Sequence, residues 1–432
     1  MGEQRRRRGL GGVVIVEDPL ARARRLDRTD PLAHLVDAFH PLADGHSYRT
    51  IYLAGHSLGP QPRTAARLAE RELRRWRDDG VTGWSHRWLD LATHAGATLE
   101  AILEVSPRTV HVGDSTTVLV HQAAGAALTA RPDRPDIIAA SSDFPTDLYA
   151  LGQRAASAGG QLRLLDGPVD ADLVAAELDD RVGLVALGHV DFRTGRLLDL
   201  RAITELAHRH GAWTLWDCSH SAGVVPLGLG DAGVDLAVGC TYKHLCGGPG
   251  APAWLMARAD LVERLDPPLH GWFGHRAPFE LRPSWDEAPG VERFAIGTPP
   301  VLSLATATAG IDLIASVDAA ALQAKVASLS QLAIDQAVEW LGPLGVDVLT
   351  PSAPERRGAI VALRHDQAWQ IAQLANQRLD VVCDFREPDV IRLGLSPLPL
   401  RHVDVVAALT RLRDAISTDG HLAYPAERPR IT

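Results

Sequence analysis

Lysine is almost missing from this chain: of its 44 basic residues only Lys243 and Lys325 are lysines, and the rest are arginines. Cysteine is scarce as well. Cys218, Cys240, Cys246 and Cys383 lack the paired spacing of a metal centre, and four in 432 residues do not make a disulfide framework, so a reducing cytoplasm is the expected setting. Long apolar runs are absent: the basic run at residues 5–8 leads into a short apolar stretch, 13–16, which Glu17 and Asp18 cut off. That excludes a signal-peptide core and a spanning helix there, and the start reads as a disordered, solvated segment. Positive charge is not in excess either. A formal net charge of -9, with basic residues spread along the chain, argues against a nucleic-acid binder and leaves small-molecule chemistry as the expectation.

The shortage of lysine sharpens attention on the two that remain. Arginine serves wherever charge alone matters, but its guanidinium stays protonated and cannot attack a carbonyl, whereas a lysine amine can. Lys325, in a helix-like stretch of Ala, Ser, Leu and Gln, reads as an accident of composition. Lys243 is different, because it sits in CTYKHLCGGPG, where an apolar run ends in a Gly-rich turn that lets backbone approach a ligand closely.

At 46% hydrophobic residues the chain can bury a large core, and its length suggests two or three domain-sized units. From residue 136 to 256, short apolar runs (IIAAS, QLRLL, VGLVALGHV, WTLWD, DLAVGC, PAWLMA) alternate with helix-length amphipathic stretches. This pattern predicts an α/β fold with a largely parallel sheet covered by helices, whose ligands collect at the carboxyl ends of the strands. Residues 305–341 read as one long helix. Beyond it, AIVALRH, VVCDF and VIRLGL alternate with helical segments at 367–379 and 403–416, which predicts a smaller α+β domain completed in part by the N-terminal segment.

Asp217 closes the run WTLWD, and Lys243 follows the next one, so both are expected on one rim. A lysine for a Schiff base, an acid for a pyridine nitrogen, phosphate donors and a stacking aromatic are what a pyridoxal-phosphate site requires. Ser115, Thr116 and Thr117 in GDSTTV stand ahead of a helix-like run, where hydroxyls and free amides can cradle a phosphate. Taken singly, each has a plainer reading: the hydroxyls as a helix cap, Asp217 as a turn residue, His220 as a buried histidine. Their combination in this order points to pyridoxal phosphate.

The stretches YLAGHSLGPQP, DFPTDLY, HVDFRTGRLLDL, DCSHSAG, GCTYKHLCGGPG, GWFGH, ERFAIGTPP and RLGLSPLPLR, from Tyr52 to Arg401, resemble bacterial kynureninases in order and spacing. The resemblance implies a fold-type I pyridoxal-phosphate enzyme related to class V aminotransferases. The expected division is an N-terminal segment over 1–60, a large cofactor-binding domain over 61–305 and a small C-terminal domain over 306–432. It also implies a homodimer with shared active sites that acts on a small amino acid, while the charge balance, the short apolar runs and the scattered histidines and cysteines lead to no nucleic-acid partner, no membrane and no metal as expectations. The implied reaction is hydrolytic cleavage of kynurenine or 3-hydroxykynurenine, in tryptophan degradation, to alanine and an anthranilate.

Carried over motif by motif, the resemblance makes Lys243 the Schiff-base lysine and Asp217 the partner of the ring nitrogen. Ser115, Thr116 and Asp147 are placed at the phosphate region, helped by Tyr242 and His220, with Phe144 stacked on the ring. Trp272 and Thr298 would reach the cofactor across a dimer interface. Arg392 would grip the substrate α-carboxylate as a bidentate fork, with His56 and Ser57 of GHSLG also on the substrate side.

Several departures fall on that substrate side: His56 for an asparagine, Gly188 where a hydroxyl residue is expected, Tyr242-Lys243-His244-Leu245-Cys246 for YKYLN, and Pro399 for a tyrosine. They leave room for a kynureninase-like lyase of a specialised pathway acting on a modified kynurenine or another β- or γ-substituted amino acid. A cysteine desulfurase needs a mobile catalytic cysteine, which no loop motif here supplies. A non-catalytic binding protein would have no use for a reactive lysine.

Overall fold

The computed structural model describes residues 17–42 and 50–427; the expected disordered start at residues 1–16 lies outside them. In chain order the strands are β1 (Ile51–Tyr52), β2 (Val110–Gly113), β3 (Asp136–Ala140), β4 (Leu162–Leu165), β5 (Val182–Gly188), β6 (Trp213–Asp217), β7 (Leu236–Cys240) and β8 (Ala253–Ala257), followed by β9 (Asp347–Val348), β10 (Ile360–Arg364), β11 (Val381–Val382), β12 (Asp384–Arg386) and β13 (Val390–Gly394).

Seven of them form one sheet in the order β2-β8-β7-β6-β5-β3-β4. The run β7-β6-β5-β3-β4 is parallel throughout, and β8 is antiparallel to both its neighbours, so β2 points the same way as the parallel strands. Six carboxyl ends therefore open on one rim. The central strands β3, β7 and β8 are buried along their whole length, which is why they read as unbroken apolar runs and not as alternation. Helices pack on both faces around two separate apolar clusters: Leu99, Trp216 and Trp254 belong to one, Leu119, Ile137 and Leu255 to the other.

A third core, with Leu329, Val361, Ile371 and Leu409, lies under the second sheet, ordered β12-β13-β10-β9 and antiparallel throughout. The N-terminal segment joins this part: β1 runs parallel to β11, and Ile51 and Leu53 sit in the same core.

The long helix expected over 305–341 is instead two helices, Val301–Ala315 and Ala319–Gln336, with axes bent by 90°. Asp318 explains the break, since its carboxylate accepts from the amide of Ala321 at 2.8 Å and so starts a new helix as an N-cap. Among the described residues no single helix is long and apolar enough to cross a membrane.

Candidate active site

A cavity of about 440 Å³ opens at the rim of strand ends. From the end of β2 come Ser115 and Thr116, at the start of the helix Thr116–Thr129; Ser115 caps it, its hydroxyl accepting from the amide of Val118 at 3.5 Å. From the end of β3 come Asp143, Phe144 and Asp147, from β5 Gly188, from β6 Asp217 and His220, and from β7 Tyr242 and Lys243. The rim rule for parallel sheets thus gathers side chains scattered over 130 residues of sequence.

Lys243 Nζ lies 3.0 Å from His220 Nε2. Burial first, then the positive charge of Lys243, holds His220 well below the ordinary histidine range, so the ring is neutral and Nε2 can accept from the amine. Across the cavity three carboxyls converge. Asp217 Oδ1 accepts from the amide of Ser219 at 2.9 Å. Asp147 is raised well above the carboxylate range by burial and by Asp217 and Asp143, and Asp143 is pushed up to about 7, mainly by burial. Acids that suppress one another's ionisation favour a cation among them, such as a protonated ring nitrogen. Burial also drives the Tyr242 hydroxyl upward, so it keeps its proton. Phe144, half exposed, stands edge-on to Phe192 at 5.5 Å between centroids. A lysine, acids suited to a cation, hydroxyls at a helix start and an open aromatic face together fit pyridoxal phosphate.

A second cluster adjoins this cavity. Asp384 on β12 and Arg392 on β13 are cross-strand partners. Arg392, 1% exposed, places Nε 2.7 Å from Asp384 Oδ1 and Nη2 against Oδ2, while Nη1 donates to the carbonyl of Phe192, which lines the cavity. Ser57 Oγ donates to Asp384, and His56 Nε2 lies 3.1 Å from Asp384 Oδ1.

Residues 322–412 match the model of the kynureninase C-terminal domain. The kynureninase of Deinococcus radiodurans is 40% identical over 402 residues, covering 90% of this chain and 94% of that protein. A Burkholderia mallei kynureninase is 36% identical, covering 91% and 94%. This chain belongs to the kynureninase family. Among solved structures, a cysteine desulfurase from Escherichia coli superposes with a TM-score of 0.75 at 17% identity, over 90% of this chain and 98% of that one. A cystine C–S lyase in complex with cysteine persulfide gives 0.75 at 21%, over 84% and 97%. These two show the fold. The desulfurase need for a mobile cysteine is unmet in this chain, because all four cysteines are buried and burial pushes the thiols of Cys246 and Cys383 up to about 12.

Some expected site residues stand elsewhere. Trp272 and Thr298 do not line the cavity within one chain; Thr298 borders an open apolar cleft with Trp76, Trp84, Trp88 and Leu302. Asp147 lines the same cavity as Ser115 and Thr116, and Asp217 and Asp143 act on its carboxyl there. The fork of Arg392 is already engaged by a carboxylate of the chain itself, which sets aside the expected open bidentate clamp.

Asp143 went unread in the sequence. Its Oδ1 accepts from the amide of Gly188 at 3.1 Å, and a Cβ at 188 would lie 3.0 Å from that oxygen, so the glycine in place of a hydroxyl residue makes room for the acid. Other kynureninase motif departures also have structural contexts. His244 is buried with Nδ1 3.3 Å from Ser396 Oγ, Cys246 is buried at a positive φ of 54°, and Pro399 borders a separate groove with Tyr52 and Pro60.

Proposed function

We propose that this kynureninase-family chain binds pyridoxal phosphate on Lys243 and hydrolyses the Cβ–Cγ bond of L-kynurenine or 3-hydroxy-L-kynurenine, releasing L-alanine and an anthranilate. The observation that carries the reading is the meeting of Lys243, Asp217 and the hydroxyl-bearing helix start in one cavity, in a chain that matches kynureninases over nine-tenths of its length.

When bound, the cofactor supplies an electron sink for negative charge at the substrate carbon beside the amino group. Ser115, Thr116 and the free amides behind them would hold its phosphate, Phe144 its ring face, and Asp217 a proton at its ring nitrogen, with the protonated Asp147 bracing that carboxylate. Lys243 Nζ, with the neutral Nε2 of His220 as acceptor beside it, is positioned to take and return the proton on the substrate α-carbon. Tyr242, which keeps its hydroxyl proton, serves as the general acid or base where water meets the substrate γ-carbonyl. Arg392 binds the α-carboxylate through Nη1, the nitrogen next to the cavity-lining Phe192.

The exposed Trp272 and the cleft around Thr298 support a homodimer in which each chain completes the other's site. Four unpaired, buried cysteines suit the cytoplasm. The test is turnover of L-kynurenine and 3-hydroxy-L-kynurenine followed through the fluorescent anthranilate product together with alanine. Equimolar release of both products is expected, and a consumed substrate without an aryl acid would overturn the assignment.

A further inference from the structure

Two positions far apart in sequence are fitted to each other. Gly394, at the end of β13, donates its amide to the carbonyl of Leu53 at 2.6 Å and bridges Ala54, and the His56 ring lies directly over it. A Cβ at 394 would fall 2.0 Å from His56 Nδ1, so even alanine would expel the imidazole from its present seat. The ring is fully buried, and neither of its nitrogens completes a hydrogen bond within the described residues. Among the described residues the ring is in polar contact with Asp384, whose Oδ1 stands 3.1 Å from His56 Nε2 and accepts from Arg392 Nε at 2.7 Å, while its Oδ2 also lies 3.2 Å from Arg386 Nη2.

Arg392 is thereby divided. Nε and Nη2 face the carboxylate of Asp384, Nη2 also reaches Ser57 Oγ at 3.2 Å, and Nη1 donates to the carbonyl of Phe192, a residue that lines the cavity. Rotation of Asp384 about its side-chain bonds would turn the guanidinium plane with it, and the imidazole blocks that rotation from one side. Burial and the charge of Arg392 hold His56 at about 4, so near neutral pH the ring is uncharged and competes neither for the negative charge of Asp384 nor for a substrate carboxylate.

We propose that His56, seated over Gly394, is a positioning residue for carboxylate recognition: it fixes Asp384, and Asp384 fixes Arg392 with Nη1 presented to the α-carboxylate of the substrate. The inference rests on the reading of Arg392 as the carboxylate-binding residue, and the experiment separates the two. The holoenzyme and its His56→Phe, His56→Asn, Gly394→Ala and Arg392→Gln variants are titrated with L-alanine and with L-alaninamide, which lacks the carboxylate, by the change in the visible cofactor band. KM and kcat for L-kynurenine are measured beside them.

His56→Phe should weaken L-alanine about tenfold, raise KM by a similar factor, and leave kcat within about threefold and alaninamide unchanged, the size expected when one polar contact to a charged group is lost. His56→Asn, which keeps a donor, should recover most of that loss. Gly394→Ala should reproduce the His56→Phe phenotype and add little to it in the double variant, and it keeps the test open if His56→Phe does not fold. Parallel losses for alanine and alaninamide, or additive effects of the two substitutions, would overturn the proposal. Arg392→Gln distinguishes the failures: if it abolishes the preference for alanine while His56→Phe and Gly394→Ala do not touch it, the positioning role alone is wrong. If Arg392→Gln leaves the preference intact, the reading of Arg392 falls and this inference with it.

Discussion

Lys325, the second lysine, makes a buried ion pair, and removing one partner has a cost that can be worked out. Its Nζ lies 2.7 Å from Asp30 Oδ2, with the two side chains 2% and 4% exposed. Asp30 follows the helix Pro19–Thr29, whose Asp27 accepts from His402 at the start of the C-terminal helix His402–Ser417, so the pair helps fasten the N-terminal helix to the smaller sheet's helices. Lys325→Met keeps the chain's volume and strands a carboxylate in the interior, which costs about 3–5 kcal/mol. At about 2.1 cal/mol/K per residue, cooperative unfolding of 432 residues has an entropy near 0.9 kcal/mol/K, so Tm should fall by about 3–6 °C.

Adding Asp30→Asn removes the stranded charge while keeping an acceptor for the amide of Leu32, which now bonds Asp30 Oδ1 at 2.9 Å, and should return Tm to within about 2 °C of the native protein. The assay is thermal unfolding by circular dichroism of all four proteins of the cycle, with the cofactor band recorded to show that the distant site is intact. A single-variant loss under 1 °C, or a double variant no better than the single, would refute the reasoning.

Asp143 gives a prediction in pH. Its carboxyl is raised from the ordinary 3.8 to about 7 in the fold, so protonation favours the folded state: stability is fully present below pH 4 and is lost as pH rises through about 7, by at most about 4 kcal/mol. In cofactor-free protein, Asp143→Asn should flatten that decline in denaturant titrations between pH 5 and 8; an unchanged slope would place the titration elsewhere. If sites are shared across a dimer, Trp272→Ala and Lys243→Ala chains, each inactive alone, should regain about a quarter of native activity when unfolded and refolded together, and no complementation would show that Trp272 acts within its own chain or not at all.

Much of the large sheet was legible because its strands are buried on both faces and read as uninterrupted apolar runs, and the rim followed from their parallel order. Lys243 stood out because arginine cannot replace a nucleophilic amine, and Asp217 because it ends the neighbouring strand. The misses have physical causes. The two-helix break at Asp318 was hidden by apolar residues on both sides, although Ser316-Val317-Asp318 ahead of an alanine run carries a cap signal. The pairing of Asp384 with Arg392 could have been found by reading CDFREPDVIR as two antiparallel strands, which brings those residues opposite each other. Asp143 with Gly188, His56 with Gly394 and Lys325 with Asp30 each meet only through tertiary packing, and local sequence holds no sign of the partner.

The central claim is that Lys243 holds the cofactor, and the near absence of lysine makes it directly measurable. Borohydride reduction of the holoenzyme, digestion and mass spectrometry of the fragments should find the phosphopyridoxyl group on the peptide containing Lys243, with Lys325 unmodified. The group on Lys325, or on neither lysine in protein saturated with pyridoxal phosphate, would contradict the account.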